Sequence, residues 1–258
     1  MARLFIFGLG YTAGRIAQAM RGSGWHLDAT GSAGNIAFDD MDAVLRALGS
    51  ASHVLSSVPP ADGTDPVLDR YGHALEGQWL GYLSSTGVYG DAKGAWVDEG
   101  SPTGGGRRTA RAQCDARWLE LDARVFRLPG IYGPGRSAFE RVREGKAHRI
   151  DLPGQVFSRV HVEDIVSGVV AAIENGAPAG AYNLADDLPT SQNAVIEEAC
   201  RLLGSEPPPL VSMEEADLSP MARGFYAENR RVANGKAKRL LDWKPRYPTY
   251  REGLGSLL

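Results

Sequence analysis

The chain has 258 residues, with 28 lysine and arginine residues against 31 aspartates and glutamates and a formal net charge of −3. That balance excludes a basic face for nucleic acid or an anionic membrane, and no apolar run approaches the ~20 residues of a membrane span. Cys114 and Cys200 are too few for a disulfide framework or a zinc site, so no metal is expected. With no targeting segment in front of the first strand, the expected compartment is the cytoplasm.

Residues 3–7 carry the apolar run Leu4-Phe5-Ile6-Phe7, which predicts a fully buried strand. Gly8 and Gly10 follow at once, and a helical pattern through Ile16, Ala17 and Met20 begins soon after. Strand, glycine turn and helix form the first half of a βαβ unit. The glycines let the backbone bend tightly and approach a pyrophosphate, and the helix N-terminus offers that anion free N–H groups. Ala13 stands where the third glycine of the fingerprint would be, a place that asks only for close packing. Gly8, Gly10, Tyr11, Thr12 and Ala13 are therefore expected to hold a dinucleotide. The plain alternative is a strand-to-helix turn with no ligand.

Trp25 to Thr30 predicts a second strand, whose tip meets the adenosine ribose in a dinucleotide fold. An NAD site wants a carboxylate there, but this chain offers Thr30-Gly31-Ser32. The hydroxyls of Thr30 and Ser32 could bond a 2′-phosphate, which leans toward NADP rather than NAD. Asp28 falls inside the strand. Of Asp39 and Asp40, one caps a helix carrying Met41, Val44, Leu45 and Leu48; Asp39 is kept as a further cofactor candidate. His53 to Val58 is the next strand, stopped by Pro59-Pro60, and its end (Ser57, Val58, Pro59) is expected beside the cofactor. Asp65-Pro66 reads as an N-cap with proline at the first helical position. Trp79 to Ser84, a helix over about 108–121 and a strand over 124–128 continue the alternation. Such alternation predicts an α/β fold with a Rossmann-like, doubly wound parallel sheet.

After Leu128 the texture changes to a turn-rich loop, Pro129-Gly130-Ile131-Tyr132-Gly133-Pro134-Gly135-Arg136. An amphipathic helix opens at His161, and Ala181 to Leu184 predicts a last strand. Helices are expected over 191–203, 219–232 and 234–241. The predicted division is a dinucleotide domain, 1–128 with 160–185, and a small, mainly helical C-terminal substrate cap, 129–159 with 186–258.

The glycine turn, Leu83-Ser84-Ser85-Thr86-Gly87-Val88-Tyr89-Gly90, the 126–136 loop, Arg159-Val160-His161-Val162-Glu163-Asp164 and Tyr182-Asn183-Leu184 together resemble the extended short-chain dehydrogenases/reductases, the NAD-dependent epimerase/dehydratase family. The resemblance implies that Ser85, with Thr86 beside it, hydrogen-bonds the reacting oxygen, and that Ser84 and Pro129 border the cofactor. The plain reading of these hydroxyls is that they satisfy backbone groups at a strand end.

The chain departs from the family's pattern at its proton relay. Where that pattern has a tyrosine and a lysine four residues apart, this sequence has Arg107 and Arg111. Arginine stays protonated and cannot take up a proton. Arg111 could hold a ribose or a substrate anion as a fixed charge. The proton would then come from Tyr132, Tyr89, His161 or solvent. The expected function is an atypical NAD(P)-dependent oxidoreductase or epimerase acting on a small carbonyl or sugar-like compound. The alternative is a non-catalytic dinucleotide sensor. Substrate contacts are expected from Tyr89, Arg136, Arg159, His161, Arg223 and Tyr226, the guanidinium groups matching a carboxylate or phosphate. Arg223, Tyr226 and Arg230 stand at i, i+3 and i+7, so one helix face could present all three. Nucleotide-sugar epimerases carry an arginine four residues before the helix-opening histidine; here that residue is Phe157, which weakens that substrate class. The 108–121 helix is the candidate for a homodimer contact, and neither nucleic acid nor membrane is expected as a partner.

Overall fold

The computed structural model describes residues 2–258. Its central sheet has six parallel strands: β1 (Arg3–Phe7), β2 (His26–Ala29), β3 (His53–Ser56), β4 (Trp79–Ser85), β6 (Arg124–Leu128) and β10 (Gly180–Asn183), in the order β10-β6-β4-β3-β1-β2. The remaining strands are short pairs outside this sheet: β5 (Trp96–Val97) with β12 (Arg231–Val232), β7 (Gly130–Tyr132) with β9 (Arg159–His161), and β8 (Arg149–Ile150) with β11 (Leu210–Val211).

Period-two alternation along β1 divides the core. Leu4 and Ile6 point to one face, against Ile16 and Met20 of α1 (Tyr11–Gly22) and Ile165 and Val169 of α6 (Val162–Glu174). Phe5 and Phe7 point to the other, against Val44 and Leu48 of α2 (Met41–Ser50), Val67 and Tyr71 of α3 (Pro66–Tyr71), and Trp118 of α4 (Thr109–Glu120). All four β1 side chains are 1% exposed or less, and each such burial contributes roughly 1.5–3 kcal/mol. A strand buried on both faces needs helices on both, which is the doubly wound arrangement the alternation predicts.

From β1 the chain steps outward to β2, then crosses back to lay β3 on the other side of β1. Strand order therefore reverses between β1 and β3, and open α/β sheets bind ligands at such a switch point, beyond the strand carboxyl ends. Residues 31–40 form a loop that leads directly into α2, so β2 is the sheet's edge.

A second core holds the cap. Ala138 and Phe139 of α5 (Ala138–Arg143), Ile196 and Cys200 of α7 (Gln192–Leu203), and Tyr250 and Leu254 of α10 (Tyr250–Gly255) pack together. The helix predicted over 219–232 is shorter: α8 covers Pro220–Tyr226. Beyond it the backbone is drawn into extended form, because the Ala92 and Gly94 N–H groups donate to the Asn229 carbonyl and Asn229 N–H donates to Asp91. β12 then pairs with β5. Ala237 of α9 (Gly235–Leu240), with Leu241 and Trp243, packs into the sheet-side core rather than the cap core. The Trp243 indole N–H is anchored by the Asp164 carbonyl and the Ser167 hydroxyl.

Candidate functional site

At the switch point lies a cleft of about 1040 Å³ between the strand ends and the cap. Its floor is the glycine corner. Gly8 holds φ +82°, where a Cβ would stand 3.0 Å from Val58 and 3.1 Å from Ser57. The corner is bolted to both neighbouring strands: Gly8 N–H donates to the Thr30 hydroxyl at 3.1 Å, Leu9 N–H to the Thr30 carbonyl at 2.8 Å, and the Ser57 hydroxyl to the Gly8 carbonyl. Gly10 is different. It is the N-cap of α1 in an ordinary extended conformation, and a Cβ there would meet nothing within 4 Å. Among the described residues no side chain caps α1, so the N–H groups of its first turn open onto the cleft beside Gly10, Tyr11, Thr12 and Ala13. A helix start left uncapped, facing a cavity at a switch point, is built for an anion.

Several residues singled out from the sequence work in this corner without facing the cleft. Thr30 is 1% exposed, and its hydroxyl accepts from Gly8, so it braces the turn rather than reaching for a ribose. Val58 packs against Gly8, and Pro59 lies exposed outside the cleft lining. Ser32 is exposed on the loop after β2. Asp39 sits away from the cleft, its carboxylate accepting from Arg70 at 2.6 Å while Asp40 caps α2. Asp28 is held by Asn35, Arg3 and His26.

The end of β4 forms the inner wall. Ser84 is buried and donates to Asp115 at 2.6 Å. Asp115 also receives a two-pronged pair from Arg127, at 2.7 and 3.2 Å. Arg127 in turn donates to the Tyr89 hydroxyl, which donates to Asn183 at 2.7 Å. Tyr89 is thus part of a closed buried network behind the wall and lies outside the cleft lining, because its hydroxyl already has a donor and an acceptor. Ser85 faces the cleft and accepts from Gly87 N–H at 3.1 Å, which leaves its own proton to donate. Thr86 and Pro129 line the same wall.

The outer wall is cationic. Arg107, Arg108 and Arg111 reach it from the start of α4, and Arg136, Arg141 and Arg230 from other loops and α5, against Glu140 and Glu228. Arg111 donates to the Tyr82 hydroxyl at 2.7 Å, and burial raises that tyrosine's pKa beyond its usual value. Glu228, buried, lies 3.7 Å from Arg107 and 2.9 Å from Arg230. Arg136 stands 5.7 Å over the ring of Tyr11, the first residue of α1, with no carboxylate within 4.0 Å among the described residues. The Tyr11 hydroxyl donates to the Pro134 carbonyl, fixing the 129–136 loop to α1.

Four expected substrate contacts are relocated or qualified. Arg159 borders the cleft, but its guanidinium donates to the carbonyls of Phe157, Thr190 and Ser191 and to Gln192, so it clamps the cap loop. His161 caps α6, its Nδ1 accepting from Glu163 N–H, and lies outside the cleft lining. Burial, with Arg15 and Arg246 nearby, pushes its pKa down to about 4, so the ring is neutral. Tyr226 lines the cleft and packs edge-on against Phe157, but Arg223 is exposed outside the lining. Arg230 lies beyond the end of α8, so the three never share one helix face. Tyr132 lines the cleft floor; its hydroxyl has no hydrogen-bond partner among the described residues, and burial, then Asp186, hold its proton above the usual phenol range.

The sequence reading gave no site role to Arg108, Arg141 or Glu228, whereas Tyr226, which it expected, lines the cleft together with Phe225. Arg107 and Glu228 are 121 residues apart, and the β5–β12 pairing, with the bonds of Asn229 to residues 91–94, brings them together.

No family model matches the chain. A conserved protein of unknown function from Silicibacter pomeroyi DSS is 39% identical, with a TM-score of 0.89 over 100% of this chain and 98% of that one. The 3-diazoavenalumate denitrifying reductase of a Streptomyces species is 32% identical over 170 residues, 60% of this chain and 55% of that protein. The chain spans about half the length of the curated relatives it matches. The human epimerase family protein SDR39U1, solved with NADPH, superposes at a TM-score of 0.78 over 99% of this chain and 98% of that one, with 13% identity.

Proposed function

The chain belongs to one family with the Silicibacter pomeroyi protein, on the fold of the extended short-chain dehydrogenases/reductases, and from that premise we propose that it is a nicotinamide-dinucleotide-dependent reductase of atypical relay. The observation that carries this reading is the uncapped start of α1, open at Gly10 onto the cleft at the switch point. Its first-turn N–H groups would hold the pyrophosphate, with Arg136 over Tyr11 as the neighbouring cation. The residues present thus fit a dinucleotide, which when bound supplies a hydride.

The chain's own part is positioning and polarisation. Ser85 keeps a free O–H at the β4 end and donates it to the reacting oxygen, with Thr86 beside it. Asp115 and Arg127 fix the strand behind these hydroxyls. Arg107 and Arg111 hold charge at the two places where the related enzymes keep a tyrosine and a lysine, and neither can exchange a proton. Tyr89 is engaged in its network and His161 is neutral in its cap. That leaves two sources for the proton: the Tyr132 hydroxyl, which lines the cleft and has no partner among the described residues, and solvent through the open cleft. The β2 tip carries no carboxylate, which supports NADPH over NADH.

Titrating NADPH and NADH into the protein, with fluorescence readout, tests the reading. Saturable binding with NADPH tighter is expected, and absence of saturable binding to either overturns it. Arginines at both relay positions also favour a second reading, a dinucleotide sensor without turnover. Consumption of NADPH with a panel of small carbonyl compounds distinguishes the two.

A further inference from the structure

Among the three arginines that reach the outer wall from the start of α4, Arg108 differs from its neighbours. Arg107 and Arg230 share Glu228, and Arg111 has the Tyr82 hydroxyl. Arg108 is half-buried between them, yet among the described residues no carboxylate lies within 4.0 Å of it and no acceptor takes its hydrogen bonds. It is not loose. Its Cδ lies 2.7 Å from where a Cβ on Gly87 would stand, directly after Ser85-Thr86, and its guanidinium lies 5.6 Å over the Phe225 ring. Burial, then Arg107 and Arg111, pull its pKa below the usual guanidinium value. A fixed, partly desolvated cation among like charges gains most from an incoming anion.

The surroundings narrow the anion. Phe157 and Tyr226 meet edge-on at 5.3 Å, and Leu218 and Ala222 extend the same apolar surface of the cleft. A free guanidinium fork matches a carboxylate with two parallel N–H···O bonds. Of the other cations in the cleft, Arg159 is committed to carbonyls and Gln192 and Arg136 stands over Tyr11 at the α1 end, while Arg141 acts on Tyr226.

We propose that the substrate is a small organic carboxylate with a flat apolar body, its carboxylate on Arg108 and its body against Phe157 and Tyr226. This assignment rests on the reductase reading, which puts the reacting carbon near Ser85, a short step from Arg108.

Cinnamate, its neutral amide cinnamamide, and phenyl phosphate serve as probes, with dissociation constants from ligand-observed NMR on NADP+-loaded and unloaded protein. Cinnamate is expected to bind about tenfold more tightly than the amide, the scale of a charge-assisted hydrogen bond. Arg108→Gln removes that preference, Arg108→Lys keeps part of it, and Arg223→Gln, outside the cleft, leaves it intact. Equal binding of acid and amide, a preference that survives Arg108→Gln, or tighter binding of phenyl phosphate overturns the proposal. A preference for the acid in protein that binds no NADPH would strike the reductase reading alone. NADPH binding without the preference would strike this assignment alone.

Discussion

The two walls of the cleft are made of different material. The α1 corner is backbone: glycines, free N–H groups and hydrogen bonds to Thr30 and Ser57. The arginine wall is side chain, assembled from the start of α4 and from residues more than a hundred positions later. Backbone sites tolerate almost no change at their bends and much change around them. Side-chain walls can exchange their chemistry while the fold stays. The difference suggests where such a protein keeps its cofactor and where it keeps its specificity.

The largest expected effect breaks the corner. Gly10→Asp should lower NADPH affinity more than about 100-fold, since a carboxylate would stand against the pyrophosphate, a like-charge contact costing several kcal/mol. It should leave the fold intact: φ at Gly10 is −95°, the added Cβ meets nothing within 4 Å, and aspartate is a favoured N-cap. Gly8→Ala is the counterpart. Its φ of +82° and the 3.0 Å approach to Val58 should lower stability by about 1–3 kcal/mol. Melting curves beside NADPH titrations separate the two; a Gly10→Asp protein that binds like wild type would remove the corner from the site.

The next effect lies in the interior, where two buried aspartates differ. Asp115 is paired with Arg127 on both prongs and accepts from Ser84. Asp115→Ala leaves Arg127 buried and uncompensated, and should cost about 3–5 kcal/mol in denaturant unfolding. Asp186 is 2% exposed, and among the described residues neither carboxylate oxygen has a hydrogen-bond partner. Burial pushes its carboxyl up to about 7, with Arg159 pulling the other way. Its folded value is raised above the unfolded one, so the native state holds this proton more tightly. That contribution is whole below about pH 4 and is lost as pH rises through about 7. Asp186→Asn should therefore match wild type near pH 4 and exceed it by about 2–4 kcal/mol at pH 8. Asp164, raised to about 6 by burial, acts in the same direction. His161, depressed to about 4, acts in the opposite one: its contribution stands above the unfolded value of 6.5 and is lost as pH falls toward 4. The wild-type profile is a balance of these, and the difference between variant and wild type isolates Asp186. A variant less stable than wild type at pH 8 would mean that the Asp186 carboxylate has a native partner.

The same division governs what the sequence could tell. Strand positions, the doubly wound sheet and the α1 corner were legible, because buried runs, glycine spacing and N-cap residues such as Asp65 act locally. Roles settled by distant partners were not. Thr30 reads as a ribose contact until Gly8 is seen donating to it, and Arg159 as a substrate clamp until four cap-loop acceptors surround it. The helix expected to run to Val232 ends at Tyr226, because a strand pairing 135 residues away in sequence outcompetes local propensity. Arg108 carries no motif at all; its isolation is a property of what fails to stand near it.

The smallest effect sharpens the boundary of the arginine wall. Arg223 and Tyr226 lie three residues apart on α8, a spacing that usually shares a face. Yet Ala222, Phe225 and Tyr226 line the cleft while Arg223 is exposed outside it. The edge-on packing of Tyr226 on Phe157 and the stacking of Arg107 and Arg108 on Phe225 fix the rotation of this seven-residue helix. Arg223→Gln should therefore change probe and NADPH affinities less than about twofold, within the ~0.5 kcal/mol of ordinary surface substitutions. A loss beyond that would mean that α8 turns when the cleft fills, carrying Arg223 inward, and that the wall is assembled by its ligand rather than waiting for it.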